Sequence, residues 1–257
     1  MSLVDSIFFG ALQGVTEFLP ISSSGHLILL TNFFQVDLPT IVYEVVVHLG
    51  TLISILFIFR SDIISIINKA KTKRDFKEII LIASATVPIA LTGLIFKSNI
   101  ETAFRSVNIV GVCMVITGII LGSTLFTSSI RKKNISLVSA LIIGIIQAFA
   151  LLPGISRSGV TISTALWIGI SQEEAGRFSF LIAIPAIIGS LILTLPDIMN
   201  VISVEGSFFI LIATLVAAFI IGLIALKFLM KVLESGRLYL FSAYCILVGV
   251  ITLISRI

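Results

Sequence analysis

Long apolar segments alternate with short polar ones along the whole chain. Six of them are free or nearly free of charge. Each runs for roughly 18 to 25 residues, the length with which an α-helix crosses the hydrocarbon core of a bilayer. We predict transmembrane helices at residues 41–59, 79–96, 107–126, 178–195, 208–230 and 238–254.

Two further apolar regions are interrupted by polar residues. In the first, an apolar run at 6–18 is followed by PISSSGH and a second run to residue 34. In the second, a run at 135–152 breaks at PGISRSG and resumes over 160–170. Pro and Gly end helices, and exposed backbone is not tolerated in lipid, so each break must be buried or line a polar cavity. We therefore predict two re-entrant hairpins, each made of a helix, a loop and a second helix.

The two interrupted regions are similar to each other. Each half of the chain has one hairpin followed by three spans, and because three is odd, the second half must be inverted relative to the first. We predict a single all-α polytopic membrane domain over 1–257, with six transmembrane helices, two re-entrant hairpins and an inverted-topology repeat of about 1–130 and 135–257. Superimposed without gaps, the identical residues are Gly10 and Gly144, Gln13 and Gln147, Ile21 and Ile155, Ser22 and Ser156, Ser24 and Ser158, and Gly25 and Gly159.

The composition supports a membrane protein. Hydrophobic residues make up 58% of the chain and charged residues only 12%, with a mean hydropathy of +1.21. A soluble domain is typically about half apolar and about a quarter charged. The formal net charge of +4 does not indicate nucleic-acid binding, because Lys and Arg mark the cytoplasmic loops of membrane proteins.

Basic residues are concentrated in the loops after the first, third and fifth predicted spans. The opposite side has only Lys97, Arg105 and Arg256. The positive-inside rule therefore predicts both chain termini outside, with the first hairpin dipping in from outside and the second from the cytoplasm. The basic residues of the three loops are Arg60, Lys69, Lys71, Lys73, Arg74, Lys77, Arg131, Lys132, Lys133, Lys227, Lys231 and Arg237.

Ionisable residues at membrane depth are costly, so they are candidates for function. Gln13 and Glu17 are four residues apart and share a helix face. A carboxylate and an amide oxygen are hard oxygen ligands suited to Mg²⁺ or Ca²⁺. We predict a metal or catalytic role for Glu17 and a metal role for Gln13, with capping or packing as the alternative.

The polar breaks themselves predict a diphosphate pocket. Each S-x-S-G loop opens a helix N-terminus, which offers free N–H groups and a partial positive charge to an anion. Arg157 adds a permanent charge and a fork of donors matched to phosphate oxygens. His26 could act as a general base or as a nucleophile on phosphorus, or be a hydrogen-bonded structural histidine. The predicted phosphate-binding residues are Ser22, Ser24, Gly25, Ser156, Ser158 and Gly159.

The two halves differ where chemistry is expected. Acid and base fall in the first half and the phosphate clamp in the second, a division that a pure transporter would not need. The aligned but different residues are Glu17 and Leu151, Ser23 and Arg157, and His26 and Val160.

Other charged residues are predicted to support the site or the fold. Glu44 and His48 lie one helical turn apart in the first span, where we predict a second layer around the site or, alternatively, contacts between spans. For Glu173, Glu174 and Arg177, at the start of the fourth span, we predict capping and lipid-interface roles.

The stretches QGVTEFLPISSSGHL and PGISRSGVT resemble the two signature motifs of the undecaprenyl-diphosphate phosphatase family, the bacitracin-resistance membrane phosphatases of bacteria. VVVHLGTLISILF and EEAGRFSFLIAIPAIIG extend the resemblance over the whole chain. The family's first motif begins with Glu or Gln, and this chain has Gln13, so no role that needs a carboxylate there is implied. The site residues that the resemblance implies are Glu17, Ser23, His26, Ser156, Arg157 and Thr161.

The resemblance implies hydrolysis of undecaprenyl diphosphate to the monophosphate and inorganic phosphate, with a divalent cation, in the plasma membrane of a bacterium. This reaction recycles the lipid carrier for peptidoglycan and gives bacitracin resistance. A lipid-phosphate flippase is the alternative, because transporters also use inverted repeats. The nucleophile is left open among Ser23, His26 and a water activated by His26, and a homodimer is also left open.

The expected substrate joins a charged head to an apolar tail. The head and the metal need water, whereas the polyprenyl tail needs lipid. We therefore predict a polar cavity open to the outside, with an apolar lateral groove between spans for the tail. The expected partners are this lipid and the bilayer, without nucleic acid.

Overall fold

The computed structural model describes residues 3–34, 41–72, 75–127, 134–199 and 208–255, and the regular elements within these ranges are all helical. This confirms the all-α class. The helices are α1 (Leu3–Phe18), α2 (Ser23–Phe34), α3 (Ile41–Ile58), α4 (Arg60–Lys71), α5 (Lys77–Ile95), α6 (Lys97–Phe104), α7 (Val107–Ser123), α8 (Leu137–Ala148), α9 (Arg157–Trp167), α10 (Gln172–Met199), α11 (Phe208–Glu234) and α12 (Leu240–Ser255). Short 3₁₀ turns extend α7 over Thr124–Phe126 and α8 over Phe149–Leu151.

Several of these helices are long and apolar enough to cross a membrane, so the protein is a multi-pass membrane protein. Four qualify on their own, and they lie at Lys77–Ile95, Val107–Phe126, Gln172–Thr194 and Phe208–Glu234. The first predicted span ends one residue early, at Ile58, and qualifies only together with α4, from which it is bent by 73°. The sixth, α12, has 16 described residues, about 24 Å of helix, and is shorter than a full span.

Both interrupted regions form two helices separated by a break. We call α1, its turn and α2 hairpin one, and α8, its turn and α9 hairpin two. The boundaries differ from the prediction: α1 begins at Leu3 rather than residue 6, and α9 begins at Arg157 rather than residue 160. The second helix of each hairpin starts earlier because a serine hydroxyl caps it: Ser156 Oγ accepts from the Gly159 N–H at 3.1 Å.

Each hairpin packs against a helix from the other half of the chain. α1 lies on α11, and α8 lies on α5. Glycine makes both approaches close: a Cβ at Gly14 would lie 2.8 Å from the Gly222 nitrogen, and one at Gly144 would lie 2.5 Å from the Ala85 oxygen. The first helix of each hairpin is therefore packed tightly against a helix from the other half of the chain.

Arg177 has a role that the sequence did not predict, because its guanidinium joins three helices. Its predicted place at the lipid interface stays a prediction. The guanidinium donates to Asp62 of α4 at 2.5 Å, to Glu78 of α5 at 2.8 Å and to Glu174 of its own helix at 2.9 Å. Glu173 is exposed. The segment after the first span also includes the unpredicted helix α4.

Candidate active site

Glu17 connects the two hairpins. It lies in the last turn of α1, and only 9% of the residue is exposed. Its Oε2 accepts from the Ser23 hydroxyl at 2.8 Å and from the Gln13 amide at 3.0 Å, and its Oε1 accepts from the Arg157 guanidinium at 2.5 Å. The structure thus brings together four residues predicted from the sequence, three from hairpin one and one from hairpin two.

Arg157 has donor capacity to spare. It is the first residue of α9, and its Nη2 donates to Glu17. Its Nη1 is buried and has no hydrogen-bond partner among the described residues. An unpaired buried donor is costly, and the guanidinium fork matches phosphate oxygens. The arrangement therefore suits an arginine that holds Glu17 with one nitrogen and an anionic ligand with the other.

Gln13 is oriented by two acceptors. The His48 Nδ1 lies 2.7 Å from the main-chain oxygen of Glu44, and because a carbonyl only accepts, Nδ1 carries the hydrogen. In the neutral ring Nε2 is then an acceptor, 3.4 Å from the Gln13 Nε2 and 4.0 Å from Glu17. The Gln13 amide thus donates to both sides, and its buried Oε1 has no partner among the described residues. His48 lies beside Gln13 and Glu17, whereas the Glu44 side chain is exposed and its main-chain oxygen holds the His48 ring.

His26 contacts Tyr244 and not the Glu17–Arg157 pair. Its Nδ1 donates to the main-chain oxygen of Ser22 at 2.8 Å, so Nε2 is the acceptor for the Tyr244 hydroxyl at 2.7 Å. The two rings are nearly parallel, with centroids 5.6 Å apart. In the part of the chain described, His26 makes no hydrogen bond to Glu17, Ser23 or Arg157. Tyr244 of α12 was not predicted, because a tyrosine in a distant apolar run gives no local signal.

Some hydroxyl groups in and near the two turns hold the fold together and do not face the cavity. Ser22 has φ 69°, an unusual left-handed conformation for a residue with a side chain. Its hydroxyl accepts from the Gly25 N–H at 3.2 Å, just as Ser156 caps α9. Thr161 instead bonds Ser179 of α10 at 2.6 Å, so its hydroxyl connects two helices.

A cavity of about 240 Å³ lies between the hairpin tips. Its apolar wall includes Ile100 and Leu151. Ser158, Gly25, Gly159, Thr161, Gln13 and His26 are not among its described lining residues. The polar lining is formed by Thr16, Glu17, Ser22, Ser23, Ser24, His48, Ser156, Arg157 and Ser190.

Comparison with known proteins identifies the family. A model described as bacitracin resistance protein BacA matches residues 6–251. The chain belongs to the BacA family. Among curated relatives, a protein from Korarchaeum cryptofilum is 40% identical, over 97% of this chain and 98% of its own. Proteins from Bacillus cereus and Desulforapulum autotrophicum are 38% and 37% identical, over 96% and 99% of both chains.

The BacA match confirms the resemblance read from the two motifs. It spans both hairpins, and therefore both the Glu17 and the Arg157 side of the cavity. The relatives from Korarchaeum cryptofilum and Desulforapulum autotrophicum are named undecaprenyl-diphosphatase, and that from Bacillus cereus undecaprenyl-diphosphatase 1. The roles of individual residues in this BacA protein remain predictions that rest on geometry.

Proposed function

We propose that this protein hydrolyses undecaprenyl diphosphate to undecaprenyl phosphate and inorganic phosphate. The observation that carries the proposal is the buried Glu17–Arg157 pair, which joins the two hairpins at a cavity lined by serines. The names of the relatives identify the same substrate and reaction class. Hydrolysis in the membrane would return the lipid carrier to the monophosphate form used in wall synthesis and would oppose bacitracin.

The cavity supplies charge and donors for a phosphoryl group. The Nη1 of Arg157 and the helix N-termini of α2 and α9 stabilise negative charge that develops on the transferred phosphate. Because Arg157 also neutralises Glu17, a carboxylate can stay beside an anionic substrate without strong repulsion. This pairing favours a site for phosphate chemistry over a simple cation site.

Ser23 is the nucleophile that the contacts favour. Ser23 lines the cavity, and its hydroxyl already donates to Glu17 at 2.8 Å. His26, by contrast, is turned toward Tyr244. In the first step Ser23 Oγ attacks the terminal phosphorus, its proton passes to Glu17, and the bond from phosphorus to the bridging oxygen breaks, which releases undecaprenyl phosphate. Water then attacks the phosphoserine and the bond from phosphorus to Ser23 Oγ breaks. Glu17 returns the proton to Ser23 Oγ, and inorganic phosphate leaves.

A divalent cation, Mg²⁺ or Ca²⁺, is part of this proposal. The described residues contain no group of three or more His, Cys, Asp or Glu that could hold an ion by themselves. Mg²⁺ is commonly held by one or two carboxylates together with substrate phosphates and waters, so the donors needed from the protein are few. Glu17 lines the cavity, and Gln13, which is hydrogen-bonded to it, has an unpaired Oε1 buried next to that lining; these two residues fit the requirement and would hold the ion. The ion would supply positive charge that neutralises phosphate oxygens.

Phosphate release by purified protein in detergent tests the function. We expect inorganic phosphate from a C55 diphosphate, its loss in EDTA, and its loss in Ser23→Ala with normal thermal unfolding. The flippase alternative predicts no phosphate, because transport breaks no bond. Full activity in Ser23→Ala would contradict the nucleophile assignment and favour direct attack by water.

The fine topology is also part of the proposal: six spans, two re-entrant hairpins and both termini outside a bacterial plasma membrane. Cysteine at position 71 should stay unlabelled by an impermeant thiol reagent in intact cells, and cysteine at position 197 should react. Labelling at position 71 would overturn the orientation. Some of the basic residues from which this orientation was predicted lie outside the described residues: Lys73, Arg74, Arg131, Lys132, Lys133 and Arg256. The homodimer stays a prediction.

A further inference from the structure

The turn of hairpin two rests against α7, a helix from the other half of the chain. Gly154 lies in this turn with φ 96°, and a Cβ there would lie 2.5 Å from the main-chain oxygen of Val110 and 2.7 Å from the Cβ of Cys113. Glycine allows so close an approach and adopts this left-handed conformation without strain. The turn that precedes Arg157 is therefore fitted to the surface of α7.

Thr117 of α7 holds this turn at two points. Its hydroxyl donates to the main-chain oxygen of Gly154 at 2.9 Å and accepts from the Ser156 N–H at 3.2 Å. Thr117 is fully buried, and Gly154 and Ser156 are buried as well. A buried main-chain group without a partner is costly, so a single hydroxyl stabilises the turn by satisfying two such groups.

The turn that Thr117 holds leads directly into the arginine of the site. Ser156 is the N-cap of α9, its hydroxyl accepts from the Gly159 N–H, and Arg157 is the first residue of that helix. Ser156 and Arg157 both line the cavity, and the Arg157 guanidinium donates to Glu17 at 2.5 Å. A shift of the turn would move the guanidinium and the N-terminus of α9 together. Thr117 thus fixes where the phosphate-binding helix begins.

The same turn touches the tip of hairpin one. A Cβ at Gly25 would lie 3.2 Å from the Cα of Gly154, and one at Gly159 would lie 3.4 Å from the Cβ of Pro20. α7 packs on α2 of hairpin one as well as on α9 of hairpin two. One helix therefore contacts both hairpins near the place where the acid and the arginine meet.

The repeat places a different residue at the equivalent position of the other half. Thr117 aligns with Ile251 of α12, which is 54% exposed and has no polar group in its side chain. From α12, the Cys245 thiol lies 3.6 Å from the main-chain oxygen of Pro20, and a thiol is only a weak donor. The double hydrogen bond thus belongs to the hairpin that carries Arg157, whose fork of donors must meet two partners at once.

We propose that Thr117 is a positioning residue for the phosphatase reaction. It holds the turn at 154–156 so that Arg157 binds Glu17 with one nitrogen and the substrate's phosphate with the other. Thr117 is not among the described residues that line the cavity, so it acts through Arg157 and not on the substrate. The inference rests on the proposed function and adds a residue that lies outside both signature motifs.

Thr117→Val tests this by removing the hydroxyl while keeping the shape of the side chain. We expect kcat/KM for a C55 diphosphate to fall by about tenfold to a hundredfold, whereas Thr117→Ser, which keeps the hydroxyl, should stay within about threefold of the wild type. The matched control is Thr214→Val in α11, because Thr214 is equally buried but its hydroxyl bonds the Ile210 oxygen of its own helix. The control should be as active as the wild type, and equal losses in the two valine variants would overturn the proposal.

A double-mutant cycle separates positioning from general support of the fold. If Thr117 acts through Arg157, Thr117→Val should lower activity by less than about threefold in an Arg157→Lys background, where the fork is already lost. Losses that multiply would mean that Thr117 acts elsewhere. Thr117→Cys replaces the valine variant if that variant does not fold, because a thiol is a weak donor and acceptor. Its activity should lie between those of Thr117→Ser and wild-type-like controls on one side and complete loss on the other, and full activity would contradict the proposal.

Binding of methylenediphosphonate, a diphosphate analogue that resists hydrolysis, separates this inference from the hydrolase proposal. By calorimetry, we expect about tenfold weaker binding to Thr117→Val than to Thr214→Val. Unchanged affinity in a folded Thr117→Val protein would overturn the positioning role even if the wild type hydrolyses the lipid. If the wild type releases no phosphate but Thr117→Val binds the analogue more weakly, the hydrolase proposal fails and the positioning of Arg157 stands.

Discussion

Gln13 of α1 and Gln147 of α8 occupy equivalent places in the two hairpins, and both are fully buried. Gln13 donates to Glu17 and faces His48, whereas Gln147 donates to the main-chain oxygen of Ala85 on α5 at 3.2 Å. In both residues Oε1 has no partner among the described residues. The same side chain thus orients the carboxylate in one hairpin and ties two helices together in the other.

The turns that follow α1 and α8 also differ between the two hairpins. Ser22 and Ser156 cap their helices alike, at 3.2 Å and 3.1 Å from the capped nitrogen. The left-handed residue differs, however: it is Ser22 itself in hairpin one, and Gly154 in hairpin two. Glycine adopts this conformation without strain, whereas a serine there costs about 1 kcal/mol or more. The strained turn belongs to the hairpin that carries the acid and Ser23.

The pair formed by His26 and Tyr244 has an apolar counterpart. The aligned positions in the other half are Val160 and Val110, and both are buried. The polar pair joins α2 of the first half to α12 of the second. In the proposed mechanism hairpin one is the chemical hairpin and hairpin two is the clamp.

The largest effect is expected from removing the charge of the chemical hairpin. Glu17→Gln keeps the shape of the side chain but loses the negative charge that pairs with Arg157 and the proton acceptor for Ser23. We expect phosphate release to fall by about 10³-fold or more, with thermal unfolding in detergent still cooperative. Rescue by excess Mg²⁺ would mean that Glu17 mainly binds metal. Activity near wild type would remove Glu17 from the mechanism.

The clamp should be sensitive to geometry as well as to charge. Arg157→Lys keeps the charge but loses the fork that serves Glu17 and phosphate together. We expect a loss of about 10²- to 10³-fold, close to that of Arg157→Ala, in the same phosphate assay. If the lysine variant retained most of the activity, Arg157 would supply only bulk positive charge.

The two glutamines provide a matched pair. Gln13→Leu should lower phosphate release by about tenfold, because Glu17 loses an orienting donor and the site loses an oxygen ligand. Gln147→Leu should leave activity within about twofold and change the free energy of unfolding by only about 1 kcal/mol, since it removes one hydrogen bond and one unpaired oxygen. Equal activity losses in the two variants would contradict the division between the hairpins.

The smallest effect is expected at the partner of His26. Tyr244→Phe retains the stacked ring but removes the hydroxyl from Nε2, and we expect activity to fall about three- to tenfold. Tyr239→Phe is the control, because Tyr239 lies outside the cavity between the hairpin tips. A Tyr244→Phe variant as active as the control would make the contact purely structural.

Local sequence predicted the two interrupted helical regions well, because the residues that break them are close together in the chain. Pro, Gly and serine break the apolar runs within a few residues, and Gln13 and Glu17 share a face by helical spacing alone. The pairing of Glu17 with Arg157 could be expected because the repeat places both at hairpin tips.

Long-range contacts could not be read in the same way. His48 reaches Gln13 from another helix, and Tyr244 reaches His26 from the far end of the chain. Arg177 pairs with Asp62 of α4 and Glu78 of α5, and these contacts depend on how the helices pack against one another. Pattern alone identifies which residues are costly in a membrane, whereas packing decides which residues accompany them.

The packing of hairpin one on α11 imposes an order on synthesis. α1 ends at Phe18, but the helix that it approaches at Gly14 begins only at Phe208. At about 5–20 residues per second, a ribosome makes that partner on the order of ten to forty seconds later. α8, by contrast, emerges when α5 is already in place. A nascent hairpin one must therefore wait in the bilayer, half-packed and with its polar tip uncovered. During that interval quality-control proteases compete with completion of the chain.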